Sequence, residues 1–188
     1  AENRTGMTEI ESKKVFKAYG LPVVKTEMAT SEDEAVQLAE EIGYPVVLKI
    51  VSPDILHKSD AGGVKVNIKD EAGVRENYQT ILKNAKEYKS NANIHGIVIQ
   101  EMAPWTTETI IGSVNDPTFG ATVMFGLGGI FVEVLKDVTF RVAPISEREA
   151  STMLDEIRGA PILEGTRGEA PRDKKALANV LAQYAFMI

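Results

Sequence analysis

Apolar and polar positions along this chain change period several times, and each change marks an element. From Glu11 to Tyr19 the apolar residues Val15, Phe16 and Ala18 stand among lysines, and Gly20 with Pro22 ends what reads as a short helix. Residues 22–28 read as a strand. Ser31 and Glu34 form a capping box, and Ala35, Leu38, Ala39 and Ile42 give one apolar face, which predicts a helix over 31–42. Val46–Val51 is a buried strand containing a single lysine, Lys49. A polar, glycine-rich connection, SPDILHKSDAGG at 52–63, leads into the alternating strand Val64–Ile68. A helix from about Asp70 to Tyr88 and a strand Gly96–Glu101, ending near Pro104, complete an α+β lobe over residues 1–103.

The second half is richer in β-forming residues. Four runs, Glu108–Val114, Ala121–Phe125, Ile130–Leu135 and Val138–Val142, are separated by Asn-Asp-Pro, Gly-Leu-Gly-Gly and Lys-Asp, and imply a mostly antiparallel sheet. Ser146 with Glu149 caps a helix through Ile157, and a last helix starts near Pro171 and reaches Ile188. Residues 104–188 therefore form a second lobe. No repeat or low-complexity tract occurs. The closing Ala185-Phe186-Met187-Ile188 has no glycine, asparagine or basic residue for the last helical carbonyls, so the chain is expected to stop before its natural carboxyl terminus.

Composition narrows the function classes. With 188 residues, 44% hydrophobic and 26% charged, the chain is long enough to bury a real core. Its net charge of -6 argues against a general nucleic-acid binder, whose affinity would come from clustered Lys and Arg, so phosphate chemistry must use local sites. The absence of cysteine removes disulfides, thiolate zinc sites and cysteine nucleophiles. There is no apolar signal core and no run of about 18 apolar residues. A soluble protein of the cytoplasm, not membrane-bound, is expected.

Certain residues then stand out. Lys49 lies in an otherwise apolar strand, where an ammonium needs an anion; it either meets a phosphate or snorkels to the edge and pairs with a carboxylate. His57 sits in the 52–63 connection beside Asp54, Lys58, Ser59 and Asp60. A neutral imidazole there can attack phosphorus with one nitrogen while Asp54 or Asp60 orients the other, and Lys58 with Gly62 and Gly63 can hold the resulting charge; the alternative is a solvent-facing loop histidine. His95 lacks such company and reads as structural. Gly126-Leu-Gly-Gly129 is taken to join two strands instead of opening a helix, which removes the dinucleotide-fingerprint context and leaves a glycine loop or a plain hairpin. Glu101 and Met102 end a strand where unpaired backbone groups can meet an adenine edge. Glu108, Glu133 and Asp137 are carboxylates suited to Mg²⁺ between phosphates, or solvated surface acids. Arg141 can bind a phosphate in bidentate fashion or pair with one of those acids.

Lys49, the LHKSDAGGV loop, the strand ending IQEM and the long string MFGLGGIFVEVLKDVTFRVAPIS together resemble the ATP-grasp subunit of ADP-forming acetyl-CoA synthetases, over nearly the whole chain. The same domain occurs in longer acyl-CoA synthetases and protein acetyltransferases. The resemblance implies an ATP-grasp fold: two α+β lobes with a nucleotide cleft between them, ATP/ADP with Mg²⁺ as cofactors, and a CoA-binding α subunit or fused domain as partner in a hetero-oligomer. It implies a reversible reaction of acyl-CoA, ADP and phosphate to acid, ATP and CoA. On this resemblance His57 matches the histidine that ferries phosphate to ADP and Lys49 the phosphate-contacting lysine. Glu101, Met102 and Ala103 match the adenine hinge, and Glu108 the acid after it. The glycines through Gly128 and Gly129, with Glu133, match the loop and strand lining the nucleotide. The family continues past the final helix with an Asp-x-Asn-Pro strand that helps bind Mg²⁺, and Thr107 stands where an arginine is frequent. A nucleotide-sensing domain without turnover, or an ATP-grasp ligase forming amides, are the competing classes; the acyl group and the choice of ADP or GDP are not encoded here.

Overall fold

The structure, a computed structural model, describes residues 6–104, 106–166 and 168–188. Its chain divides into two compact units. One comprises the described residues up to Lys17 with Val23–Pro104, and the other Ala18–Pro22 with the described residues after Pro104.

In the first unit the elements are α1 (Glu9–Ala18), β1 (Thr26–Ala29), α2 (Glu32–Ile42), β2 (Val46–Val51), β3 (Val64–Ile68), α3 (Glu71–Tyr88) and β4 (Gly96–Glu101). Helix α1 begins earlier than its apolar pattern predicts because Thr8 and Glu11 bond reciprocally: the Thr8 N–H donates to Glu11 Oε2 at 2.7 Å and the Glu11 N–H to Thr8 Oγ1 at 3.3 Å. Ser31 and Asp70 cap α2 and α3 by accepting from the backbone N–H three residues on. The expected strand over 22–28 contracts to Thr26–Ala29, the stretch that pairs with β4.

All pairings in the four-stranded sheet are antiparallel, in the order β1-β4-β2-β3. Side chains alternate across it. Val46, Leu48 and Ile50 of β2, with Ile97 and Ile99 of β4, enter a core shared with Ala35 and Ala39 of α2 and with Val74, Tyr78, Ile81 and Ala85 of α3. Each large buried aliphatic side chain contributes on the order of 1.5–3 kcal/mol. Lys49 alternates with Leu48 and Ile50, and so belongs to the opposite face, where Val98 is its register partner on β4 and the Gln100–Thr26 pair lies two residues along.

The second unit holds β5 (Thr109–Asp116), β6 (Gly120–Leu127), α4 (Ile130–Glu133), β7 (Val138–Val142), α5 (Glu147–Glu156), α6 (Ala160–Leu163) and α7 (Lys174–Met187). Its three strands form the expected antiparallel sheet, β5-β6-β7. Val123, Phe125 and Leu127 of β6 pack on Met153 and Leu154 of α5 and on Leu181 and Ala185 of α7. The capping box at Ser146 and Glu149 is present in full, whereas α7 starts at Lys174, capped by Asp173, instead of near Pro171.

Two expectations fail together here. Ile130–Leu135 is not a strand: Gly129 takes a φ of 57°, and the N–H groups of Glu133 and Val134 bond the carbonyls of Gly129 and Ile130, which makes 130–133 a helical turn. The glycine segment therefore does open a short helix after β6. The sheet around it remains antiparallel, so no parallel dinucleotide-binding unit results.

Candidate functional site

Side chains of helix α1 reach the sheet face that carries Lys49, and Glu9 brings three lysines to one point. Its Oε1 is 3.0 Å from Lys49 Nζ and 3.0 Å from Lys13 Nζ, and its Oε2 is 3.0 Å from Lys58 Nζ. Gln100 Oε1 accepts from Lys13 at 2.6 Å and from Lys49 at 3.0 Å, while Lys13 also donates to Thr26 Oγ1 at 2.8 Å. Burial works to raise the Glu9 carboxyl, but the hydrogen bonds from Lys49, Lys58 and Lys13 outweigh it and bring its pKa to about 2. Burial draws Lys13 down, and the bond to Glu9 resists that pull. Of the two fates open to the strand lysine, Lys49 shows the carboxylate pair, with an acid from a helix that its sequence pattern did not include.

The 52–63 connection is fastened at both ends. Ile55 and Ala61 are 1% and 4% exposed and join the core. Asn84 Nδ2 donates to the Gly62 carbonyl at 3.1 Å, and the Gly63 carbonyl accepts from Ile50 N–H at 2.8 Å. Gly63 has no room for a side chain, since a Cβ would stand 2.5 Å from Ile50 Cγ2. Between these anchors His57 is exposed. It lines an open depression of about 420 Å³ together with Lys49, Glu9, Lys58, Ser59 and Asp60. The loop histidine and the strand lysine thus line one concavity.

Asp54 does not orient His57. Its carboxylate accepts from Asn93 N–H at 2.7 Å and Lys89 Nζ at 2.9 Å, and these bonds, the backbone one first, hold it below the ordinary carboxylate range. The expected structural part for His95 agrees with its bonds: its N–H donates to Val51 O, and Nε2 lies 3.1 Å from Asn93 Nδ2. At the end of β4 the backbone is less free than expected. Glu101 N–H donates to Lys25 O at 2.9 Å and Met102 N–H to Pro45 O at 3.3 Å, because β4 is flanked on both sides; Ala103 follows on an exposed stretch.

In the second unit Glu108 and the glycine turn form one assembly. Gly128 N–H donates to Glu108 O at 2.9 Å, and the Glu108 side chain lies across Gly128 and towards Gly129. Glu133 is exposed at the end of α4. Asp137 is not a free acid: it is 8% exposed and accepts from Arg158 N–H at 2.8 Å and Gly159 N–H at 2.7 Å, fixing the entry to α6. Arg141 pairs with Glu156 of α5, not with Glu108, Glu133 or Asp137, and also donates to Phe140 O at 2.8 Å. Thr107 Oγ1 accepts from Arg172 Nε at 2.7 Å, which brings a guanidinium to this strand end.

Sequence reasoning missed Glu9, Lys13, Gln100 and Arg172. Glu9 and Lys13 stand at helical i,i+4 spacing, the one local sign of the cluster. No group of three or more His, Cys, Asp or Glu able to hold a metal occurs among the described residues, and none of their helices is long and apolar enough to cross a membrane.

A family profile described as an ATP-grasp domain matches residues 1–188. Among curated proteins, the acetate–CoA ligase [ADP-forming] I subunit beta of Pyrococcus furiosus is 54% identical over 183 residues, covering 97% of this chain and 78% of the relative. A structure of the dinucleotide forming acetyl-coenzyme A synthetase 1 of Ca. Korarchaeum cryptofilum, in complex with coenzyme A, Ca-AMPCP and HgCl+, superposes with a TM-score of 0.95 at 50% identity, over 97% of this chain and 80% of that one. Another structure of that enzyme, with coenzyme A and Mg-AMPPCP, has its phosphohistidine segment pointing towards the nucleotide binding site; it superposes with a TM-score of 0.85 at 45% identity, over 97% and 78% of the two chains.

Proposed function

This chain belongs to the ATP-grasp family of the ADP-forming acetate–CoA ligases, and from that premise we propose that it is the nucleotide-handling subunit or domain of such a ligase, with His57 as its phosphoryl carrier. The observation that carries the reading is the shared depression: an exposed histidine on a fastened loop lines the same open depression as Lys49.

The chemistry then runs in four balanced steps. At a CoA-binding partner, phosphate displaces CoA from the acyl-CoA and leaves an acyl phosphate. A histidine of that partner attacks phosphorus, the P–O bond to the acyl group breaks and the acid departs as its carboxylate, and the neutral imidazole of His57 then takes the phosphoryl group as its P–N bond to the partner's histidine breaks. The phosphoryl group then passes from His57 to the terminal oxygen of ADP, forming ATP and restoring the imidazole. Lys49 supplies positive charge to the phosphate oxygens, exchanging its carboxylate partner for phosphate, and Lys58 with the backbone of Gly62 and Gly63 steadies the charge on the loop. The Glu101–Ala103 segment is proposed to meet the adenine, and Glu108, Gly128, Gly129 and Arg141 to contact the nucleotide. Mg²⁺ carried by a nucleotide needs only one or two protein carboxylates beside phosphate oxygens and water, and Glu133 fits that donor requirement. When bound, the ion neutralises charge between phosphates.

The test is acid-labile ³²P on the chain. With the partner subunit and labelled substrates, wild type is expected to carry label that His57→Ala lacks, and the variant to lose acyl-CoA-dependent ATP formation by at least about a thousandfold. Normal turnover by His57→Ala would remove the carrier assignment.

A further inference from the structure

The His57 stretch is an arch between two buried anchors, Ile55 and Ala61. Leu56, His57, Ser59 and Asp60 are exposed, whereas Lys58 is half-buried and turned to the body of the unit. Its ammonium meets one oxygen of Glu9, and the other oxygen of the same carboxylate meets Lys49 of β2 and Lys13 of α1. One carboxylate therefore joins the arch to the sheet. Without it, three ammonium groups would face one another across a part-buried space.

We propose that Glu9 is a positioning residue, a latch that holds the His57 arch docked against the sheet by pairing Lys58 with Lys49, and that yields when either lysine takes another anion. The purpose of the latch rests on His57 being the carrier, while its geometry does not. A carboxylate suits this role because its two oxygens can serve the two sides at once. The strength is also suitable. A partly exposed ion pair biases a docking equilibrium by up to about tenfold, which favours one position of the arch yet can be undone on each turnover. A phosphate arriving at Lys49 would compete for the charge that fastens the arch, so occupation of the strand lysine and freedom of the histidine become one exchange.

Amide hydrogen exchange on the full chain tests the latch directly. The reporters are the N–H groups of Ala61, Gly62 and Gly63, which bond the carbonyls of His57, Ser59 and Lys58. Glu9→Gln is expected to raise exchange across 56–63 by about tenfold while β2 and β4 stay within about twofold. Lys58→Met, which leaves Glu9 with Lys13 and Lys49, should reproduce the effect from the loop side, and it decides the matter if Glu9→Gln does not fold. His57→Ala should exchange like wild type, because the ring is no part of the bridge. Wild-type exchange at 56–63 in Lys58→Met, or in a folded Glu9→Gln, overturns the latch. Loss of label on His57→Ala is read separately, so the latch can fail with the carrier standing, and the carrier can fail with the latch standing.

Discussion

Glu108 lies across Gly128 so closely that a Cβ at position 128 would stand 2.5 Å from Glu108 Cγ and 2.8 Å from its Cδ. The glycine is thus required by a side chain and not by its backbone angle. Glu108 is exposed and its outer atoms can swing away, so Gly128→Ala is expected to cost only about 1 kcal/mol of stability while displacing the carboxylate. Nucleotide affinity, measured by calorimetry, should fall about tenfold if Glu108 contacts the nucleotide. In a Glu108→Ala background most of the stability cost should disappear, since only the Cβ of residue 108, 3.1 Å away, remains in the way. An additive cost would mean that Gly128 is needed for another reason.

Asp137 separates a structural acid from a metal-binding one. Both its oxygens are engaged by the backbone N–H groups of Arg158 and Gly159, and removing the buried carboxylate leaves two part-buried donors without that partner. Asp137→Ala is expected to destabilise the protein by about 1–3 kcal/mol in urea unfolding, with Mg-nucleotide affinity per folded molecule unchanged. Retained stability with lost Mg²⁺ dependence would reverse that assignment.

Sequence legibility followed the range of the interactions. Ser31, Asp70, Ser146 and Glu149 cap their helices through bonds three residues long, so their signals are local and the elements they begin were readable. Val46–Val51 was legible as a strand because its run is apolar, and Lys49 is the one residue of it that is not buried. Ile130–Leu135 misled because its β-branched residues favour a strand, while the outcome is set by the positive φ of Gly129 and the bonds that close one helical turn. The Glu9 cluster was hidden for a different reason. Its bonds to Lys49 and Lys58 span 40 and 49 positions, and no spacing rule reaches that far. Arg141 was visible as a cation, but its partner Glu156 lies on an element whose placement only the packed unit reveals.

Gly63 is enclosed by atoms that cannot yield. Besides Ile50 Cγ2, a Cβ there would stand 3.1 Å from the Lys58 carbonyl, and Ile50 is fully buried in the core. Gly63→Ala is therefore expected to cost about 1–3 kcal/mol, more than the alanine at 128. Ile50→Ala opens a cavity of its own, yet the double variant should be more stable than the sum of the two losses predicts, by about 1 kcal/mol. Strict additivity in thermal unfolding would show that the backbone moves aside instead.

The Glu9 carboxylate should also leave a mark on acid unfolding. Its pKa in the folded chain is about 2, below its ordinary value of 4.5, because Lys49, Lys58 and Lys13 bond its charged form more strongly than burial opposes it. A depressed folded-state pKa stabilises the fold fully above about pH 4.5, and that contribution is lost as pH falls towards 2. The side chain is still 26% exposed, so solvent screening reduces the contribution to about 1–2 kcal/mol. Other acids titrate in the same window, and the informative quantity is therefore the difference between wild type and Glu9→Gln. At pH 7 the variant should be the less stable by that amount, with Lys13, Lys49 and Lys58 repelling one another around an uncharged amide. As pH falls from about 4.5 the wild-type carboxyl takes up its proton, and the two unfolding free energies should converge. A gap of constant size from pH 7 to pH 2.5 would mean that Glu9 contributes through packing and not through its charge.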